Sequence, residues 1–365
     1  MEPGKISERQ LAFLITAMLV NTVIFLMPQL GARAVEQDAW LTALLGSVWG
    51  IFMVLVIIAL ARRFPGHTPI EYLPLILGKP LGKILGTIYV FWFLSVGAVI
   101  VFEFTSFLKI TIMPKTPLAV FMVTIMVLVY YALRSGLESW ARVNEILLFV
   151  VLVAIAAVII LPYNNLDFSR LLPLAEHPPG LLISTSIVSG SWRGEVILAG
   201  MLIPALASDR HTSRNLVLVV LLVGFLLAAM EVSTTAAFGA IPTGQKEFPF
   251  FSLARMISIA KIFDRLEVLI VIALVLGTFF KICVFLYCSV LGTAQIFGFK
   301  KFQFLLLPLT ILMIALALNS FKGMPELTDF ATNVWPGYAL LSFELVIPLL
   351  LYLIVILRSR RVRKS

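Results

Sequence analysis

One short stretch of this 365-residue chain concentrates the residue types that could hold a ligand. Residues 189 to 195 read SGSWRGE and interrupt, with two glycines, two serines and two opposite charges, a segment otherwise apolar enough to cross a bilayer. Gly190 and Gly194 each disfavour a helix by about 1 kcal/mol relative to Ala. The hydroxyls of Ser189 and Ser191 can pair backbone groups that leave the helix. We therefore predict that this segment is split into two half-helices.

A split helix inside a membrane has a specific chemical use. Unpaired backbone survives at depth only where protein or water surrounds it, and the two half-helix ends present carbonyls with partial negative charge and amides with partial positive charge. A zwitterion such as a free amino acid matches both ends. The predicted ligand-lining residues are Ser189, Gly190, Ser191, Trp192 and Gly194. The Trp192 ring either caps the ligand or simply packs.

Charged side chains at membrane depth cost at least about 2.5 to 3.5 kcal/mol each, so each predicts a site or a partner. Glu195 and Lys281 lie at matching depths, about 21 to 23 Å from the same face at 1.5 Å per residue, and we predict that they pair. Arg193 is two residues from Glu195 and faces another direction. Its predicted partner is Glu231, with Glu103 as the alternative. The competing interpretation is that these ions only pin helices together.

The elements that position these residues follow from composition. The chain is 61% hydrophobic and 13% charged, which would expose far too much apolar surface in water. About 20 apolar residues span a bilayer, and ten such segments fill most of the chain. The predicted fold is one all-α polytopic transmembrane domain over residues 1–365. The segments are 11–30, 39–61, 84–108, 117–133, 143–161, 181–206, 215–240, 266–297, 302–319 and 335–357.

The first segment repeats the interruption of the sixth. Asn21 and Thr22 lie near mid-membrane, and Pro28 farther out removes one N–H and clashes with the carbonyl four residues back. The two segments begin two halves of five that cross the membrane in opposite senses. Corresponding interruptions in such halves indicate a transporter fold of inverted repeats with its site at the midplane. A pair of packing kinks is the alternative, because Gly and Pro are common in membrane helices.

The placement of basic residues matters more than the net charge of +9. With the N-terminus in the cytoplasm, the larger share of the 28 Lys and Arg residues falls on the inner side, so the positive-inside rule predicts that both termini are cytoplasmic. We interpret the charge as a topology signal that rests on anionic lipid, and not as a nucleic-acid site.

Residues suited to metal or covalent catalysis are sparse. Cys283 and Cys288 are five apart with no His or Cys companion at metal spacing, so we interpret them as packing residues. His67, His177 and His211 all fall in connections between segments. No metal site and no cofactor is predicted, and a membrane enzyme is disfavoured because no catalytic constellation lies in the membrane.

Other conspicuous side chains have structural interpretations. Glu344 is alone in its segment and is interpreted as structural. Trp40, Trp140 and Trp335 lie near segment ends, which is typical of interfacial anchors.

Several stretches of the chain resemble the spore germination permease family, the B subunits of bacterial spore nutrient germinant receptors. The resemblance covers nearly the whole chain, including its length and ten segments. The residues that carry it are the opening KISERQLAFLI, Pro28, the start of the second segment at Asp38, Ala39 and Trp40, the pair Gly194 and Glu195, and the run FPFFSLARMISIAKIFDRLEVLIVIALVLGTFFK with Phe248, Pro249, Arg255, Arg265, Glu267 and Lys281.

The resemblance implies a leucine-transporter-like 5+5 fold of the amino acid, polyamine and organocation transporter superfamily, with discontinuous helices one and six. It implies a small nutrient, often an amino acid, as ligand, A-type and C-type partner subunits, and a place in the spore inner membrane. Ligand-lining positions would include Asn21 and Thr22, the stretch 189–195, and Ser95, Gly97 and Ala98 facing them from helix three. The family commonly has a Trp in helix eight, where this chain reads Leu276, Gly277 and Thr278.

Two functions are compatible with these residues. A nutrient-sensing receptor subunit is the favoured one, and an ion-coupled secondary amino acid transporter is the alternative, since both need the same pocket.

Overall fold

The backbone is helical along nearly all of the chain that can be described. The computed structural model describes residues 5–257 and 267–362, and the side chains of Thr22, Val23 and residues 359–362 lie outside the described part. The predicted all-α class is confirmed for these residues.

The helices follow the predicted segments closely. They are α1 (Glu8–Phe25), α2 (Met27–Val35), α3 (Ala39–Arg63), α4 (Pro69–Leu77), α5 (Lys79–Thr111), α6 (Leu118–Arg134), α7 (Leu137–Ile160), α8 (Pro179–Gly194), α9 (Ala199–Leu202), α10 (Thr212–Phe238), α11 (Ala240–Gln245), α12 (Pro249–Arg255), α13 (Glu267–Phe297), α14 (Gln303–Ser320), α15 (Met324–Asp329) and α16 (Val346–Val362).

Seven helical stretches among the described residues are long and apolar enough to cross a membrane, which makes this an integral membrane protein. They are Met27–Arg63, Lys79–Thr111, Leu137–Asn165, Thr212–Phe238, Glu267–Phe297, Gln303–Ser320 and Pro336–Arg358. Ten crossings remain a prediction.

The first segment is divided at Leu26, next to the predicted Pro28 and past the predicted Asn21 and Thr22. α1 ends before Leu26, a single turn residue, and α2 starts directly after it with Pro28 in its first turn. Proline is well accommodated there, because the first N–H groups of a helix have no partner within the helix. Asn21 and Thr22 therefore lie in regular helical backbone and not in an unwound stretch.

The predicted split of the sixth segment over residues 189–195 is not present as unwound backbone. α8 remains helical through Gly190 as far as Gly194, and the chain continues as a 3-10 turn over Glu195–Leu198. The helix tightens here without unwinding.

The two glycines serve close packing instead. A Cβ atom on Gly190 would lie 2.7 Å from Cδ1 of Trp49, and one on Gly194 would lie 2.6 Å from Cδ of Glu344. The hydroxyl of Ser191 donates to the carbonyl of Val188 at 2.7 Å within the same helix. Gly190 and Gly194 are therefore explained by close packing, and the Ser191 hydroxyl by a hydrogen bond within its own helix, so none of the three indicates an unwound backbone.

The last segment departs most from regular α-helix. α15 leads into two π-helical runs, Phe330–Val334 and Pro336–Glu344, before α16 begins. We call Pro336–Glu344 the π segment. Such wide turns occur frequently at functional sites.

Two tryptophans predicted as interfacial anchors are buried in the bundle. Trp335 is fully buried, and Trp140 packs edge-on against Tyr287 with ring centroids 6.1 Å apart. A position near a segment end therefore does not by itself indicate an interfacial ring in this protein.

α1 and α13 lie at the centre of the bundle. α1 packs against α7, α10 and α13, and α13 also packs against α5. α3 packs against α8 and α10, and α8 packs against the π segment. Cys283 and Cys288 are buried free thiols on α13, as expected for packing residues.

Polar contacts tie connecting segments to both ends of the bundle. At the predicted cytoplasmic end, the N–H of Ile6 donates to the carbonyl of Ala205 at 3.0 Å, and the N–H of Ala207 donates to the carbonyl of Ile6 at 3.0 Å. At the opposite end, the buried carboxylate of Asp38 accepts hydrogen bonds from the N–H groups of Ala175 and His177 at 2.8 and 3.0 Å.

Candidate functional site

The centre of the candidate site is a buried ion pair. Lys281 Nζ lies 2.7 Å from Glu195 Oε2, and both side chains are 0% exposed. Lys281 comes from the middle of α13, and Glu195 is the first residue of the 3-10 turn that follows α8. The predicted pairing of these two residues is confirmed.

Two stacked tryptophans cover the ion pair. The Lys281 ammonium lies 5.6 Å from the centroid of the Trp192 ring, within cation–π distance. Trp192 stacks on Trp335 with centroids 4.6 Å apart and an interplanar angle of 22°. Trp192 therefore packs between the ion pair and the last helical segment.

Two further buried carboxyl groups interact electrostatically with the pair. Glu103 on α5 and Glu344 at the end of the π segment both lie within electrostatic range of Lys281 and Glu195. Glu103, predicted as an alternative partner of Arg193, belongs instead with Lys281. Glu344, which the sequence left alone, belongs to the same group.

Arg193 makes a different set of contacts. Its Nη1 donates to the carbonyl and hydroxyl oxygens of Ser189 at 3.2 and 2.7 Å, one helical turn earlier. Its Nε and Nη2 have no hydrogen-bond partner among the described residues. Glu231 lies within electrostatic range of Arg193, but the predicted direct pair is absent from the described contacts. The guanidinium is instead bonded to Ser189 and lies against Gly46, where a Cβ atom would overlap it.

Asn21 joins α1 to α13. Its Oδ1 accepts a hydrogen bond from the hydroxyl of Thr278 at 3.0 Å, and a Cβ on Gly277 would lie 2.9 Å from the same oxygen. The positions at which this chain departs from the family pattern thus contact a predicted ligand residue. The side chain of Thr22 lies outside the described residues.

A cavity reaches toward this region from the predicted outer end. It has a volume of about 410 Å³ and lies between α2, with Arg33 and Ala34, and the start of the last segment, with Asp329 and Thr332. A second, small cavity of about 30 Å³ shares Ala34 and Thr332 with it. The inner cavity ends at Ser189 and Glu231.

The predicted residues of helix three divide between two surroundings. Ser95 and Ala98 line a separate cavity of about 470 Å³, bounded by α14 and by Trp335 and Tyr338. Gly97 packs against α14, where a Cβ would lie 3.0 Å from Sδ of Met313. The structure therefore does not bring these three residues to Ser189 and Asn21.

Two parts of the site were not predicted from the sequence. Glu344 could be recognised as a charge in an apolar segment, but its shallower predicted depth gave no reason to group it with Lys281. The cavity at Asp329 could not be predicted from the sequence, because the residues that line it are far apart in the chain. In the described residues no group of three His, Cys, Asp or Glu side chains is placed to hold a metal ion.

Comparison with known proteins identifies the family. A family model described as spore germination protein matches residues 5–321. The chain belongs to the spore germination protein family. The resemblance seen in the sequence is thereby confirmed.

Curated members of the spore germination protein family match along the chain. Spore germination protein KB of Bacillus subtilis (strain 168) is 28% identical, over 100% of this chain and 98% of that protein. Spore germination protein A2 of the same organism is 23% identical, over 98% and 97%. Spore germination protein XB of Bacillus anthracis is 23% identical, over 74% of this chain and 75% of that protein.

A solved structure supplies the fold. This spore germination protein is similar to a Na⁺-coupled sialic acid symporter in a substrate-bound outward-open state, with a TM-score of 0.67 and 14% identity. The match covers 91% of this chain and 80% of the symporter. The helices therefore share the arrangement of a membrane transporter.

Proposed function

We propose that this protein is the nutrient-sensing membrane subunit of a germinant receptor. It binds a small nutrient, in the first place a free amino acid, and signals to A-type and C-type partner subunits in the spore inner membrane, with both of its termini in the cytoplasm. Its function is binding and signalling, not catalysis.

The observation that carries this proposal is the route from the outer cavity to α8. The 410 Å³ cavity between α2 and α15 and the smaller one beneath it lead past Ala34 and Thr332 to Ser189 and Glu231. Arg193, bonded to Ser189, retains unpartnered N–H groups among the described residues. The guanidinium bonded to Ser189 and the carboxyl group of Glu231, which lines the same small cavity as Ser189, suit the two charged ends of a zwitterion.

The mechanism follows from how the walls of this route are built. α2 and α15 are short helices at interruptions in their segments, so they can approach each other over a ligand while α1 stays packed on α13. A ligand shifts the balance between open and closed arrangements only by its differential affinity for them. Partner subunits would bind differently to the two positions of α2 and α15. The inverted 5+5 repeat is part of the same proposal.

Binding to the purified chain in lipid nanodiscs tests the proposal. A panel of labelled amino acids should include at least one that binds saturably to the wild type. Ala34→Trp should reduce that binding at least about tenfold, because the ring would fill the shared wall of the two cavities. Ala315→Trp, on the exposed face of α14, is the matched control and should bind normally. Equal binding by both variants would place the ligand elsewhere.

The alternative is an ion-coupled secondary amino acid transporter. The fold of the symporter and the buried charges around Lys281 favour it. Reconstitution in liposomes separates the two functions. The receptor function predicts binding without net uptake, whereas saturable uptake driven by an ion gradient would establish the transporter.

A further inference from the structure

Four buried ionisable side chains converge between α5, α8, α13 and the π segment. They are one ammonium, Lys281, and three carboxyl groups, Glu103, Glu195 and Glu344, and none of the four is exposed by more than 2%. Lys281 and Glu195 form a direct ion pair. If every group were ionised, the cluster would hold two negative charges in excess.

Glu344 is the most isolated of the carboxyl groups. Both of its oxygens are buried and have no hydrogen-bond partner in the described part of the chain. The hydroxyl of Tyr89 lies within electrostatic range of it but donates to the carbonyl of Phe343 at 2.8 Å. Among the described residues, no donor therefore stabilises a negative charge on Glu344.

The position of Glu344 is built into the fold. Its carboxyl group lies so close to Gly194 that any side chain on that residue would overlap it, with 2.6 Å between a Cβ and the Glu344 Cδ atom. Gly194 is the last residue of α8 and precedes Glu195. Because Gly194 has no side chain, the Glu344 carboxyl group fits against the backbone where α8 changes into the 3-10 turn.

Electrostatics decides the state of this group. An uncompensated carboxylate in a low-dielectric interior is costly, and such a group takes up a proton instead. The charge of Lys281 is already balanced by Glu195, which also repels a second negative charge. The contact with Gly194 leaves little room beside Oε2 for the several oxygen ligands that a metal cation would need.

We propose that Glu344 is a proton-binding site that is occupied at neutral pH and couples proton occupancy to the packing of α8 against the π segment. Loss of the proton would place a second negative charge beside Glu195 and push the π segment away from α8. Among the described residues, Glu195, Lys281 and Tyr89 are the ionisable groups within electrostatic range of it, and Glu103 lies on the other side of the electrostatic network, within range of Lys281 and Glu195. This site does not depend on the identity or existence of a nutrient ligand.

Infrared spectroscopy reports the proton directly. The wild type in nanodiscs at neutral pH should show the carbonyl band of a protonated carboxylic acid. Glu344→Gln should reduce that band, whereas Glu326→Gln, an exposed carboxylate on α15, should leave it unchanged. An undiminished band in Glu344→Gln would overturn the proposal. Should that variant not fold, Glu344→Asp keeps a carboxyl group and should shift the band, and an unshifted band would count against the site.

The pH dependence of unfolding measures the linkage. A proton bound in the folded state and lost on unfolding makes the protein less stable as the pH rises above the ordinary range of glutamate, by about tenfold in the unfolding equilibrium constant per pH unit. Glu344→Gln should reduce the slope of stability against pH by the contribution of about one proton, and Glu326→Gln should leave that slope unchanged. Identical slopes would refute the site. Stabilisation of the wild type by Na⁺ or K⁺ at fixed pH, lost in Glu344→Gln, would assign the site to a metal cation instead.

Discussion

At the scale of single residues, the fate of a buried charge depends on whether its partner remains. Replacing Lys281 with Met leaves Glu195 unpaired in the interior, and breaking a buried pair typically costs about 3 to 5 kcal/mol. Adding Glu195→Gln should restore part of that stability, because no bare charge is then left. Chemical unfolding of the single and double variants measures this. Lys301→Met, on an exposed lysine, is the control, and strictly additive losses would contradict the coupling.

The contact between Gly194 and Glu344 makes a second prediction. Gly194→Ala should destabilise the protein, because its Cβ overlaps the Glu344 carboxyl group. Combined with Glu344→Ala it should cost less than the sum of the two single changes. Gly337→Ala is a matched control, since a Cβ there meets open space. Thermal unfolding in nanodiscs compares the variants, and a neutral Gly194→Ala would show that the contact relaxes freely.

Prediction of single contacts succeeded where the depth of a residue in the membrane was enough to identify its partner. Counting residues from one face found the pairing of Lys281 with Glu195, since a helix rises by a constant step. It failed for Arg193, which bonds to Ser189 one turn earlier in its own helix, because comparing depths between helices does not consider contacts within one helix. It also failed for Glu344, whose neighbours come from three other elements.

At the scale of elements, the hydrogen bond between Asn21 and Thr278 fastens α1 to α13. Thr278→Val keeps the shape of the side chain but removes the donor, leaving Asn21 Oδ1 buried and unpaired. We expect a loss of about 1 to 3 kcal/mol in unfolding free energy. Thr278→Ser retains the hydroxyl and should lose clearly less. If both variants lose the same stability, the methyl group and not the hydrogen bond matters.

Element boundaries were predictable from hydropathy, but their internal geometry was not. Each predicted apolar segment coincides with helix in the described residues, because bilayer thickness fixes the length of a span. Glycine in a membrane helix, however, signals either unwinding or close approach, and at Gly190 it is close approach to Trp49. The π-helical runs before Glu344 left no pattern in the sequence.

At the scale of the whole molecule, Asp38 holds the connection between α7 and α8 against the start of α3. Asp38→Ala removes the acceptor for the N–H groups of Ala175 and His177, so this connection should become accessible to protease. Limited proteolysis followed by mass spectrometry should show faster cleavage within residues 162–178. Glu36→Ala, an exposed acidic neighbour, is the control. Unchanged cleavage would mean that other contacts hold the connection.

The overall architecture and the family could both be inferred from the sequence, because they depend on hydropathy and on motifs spread along the chain. The cavities could not, since each is a space between segments such as α2 and α15. The division of Ser95, Gly97 and Ala98 between a separate cavity and a contact with Met313 could not be foreseen for the same reason.

α15 and the turn after it separate the two large cavities, and Asp329 borders both of them. Because α15 borders both cavities, any movement that widens one of them narrows the other. If α15 moves as a rigid body, a molecule that fills the chamber beside α14 must therefore narrow the one beside α2. The two occupants would be mutually exclusive, so competition between them would need no common binding residue besides Asp329.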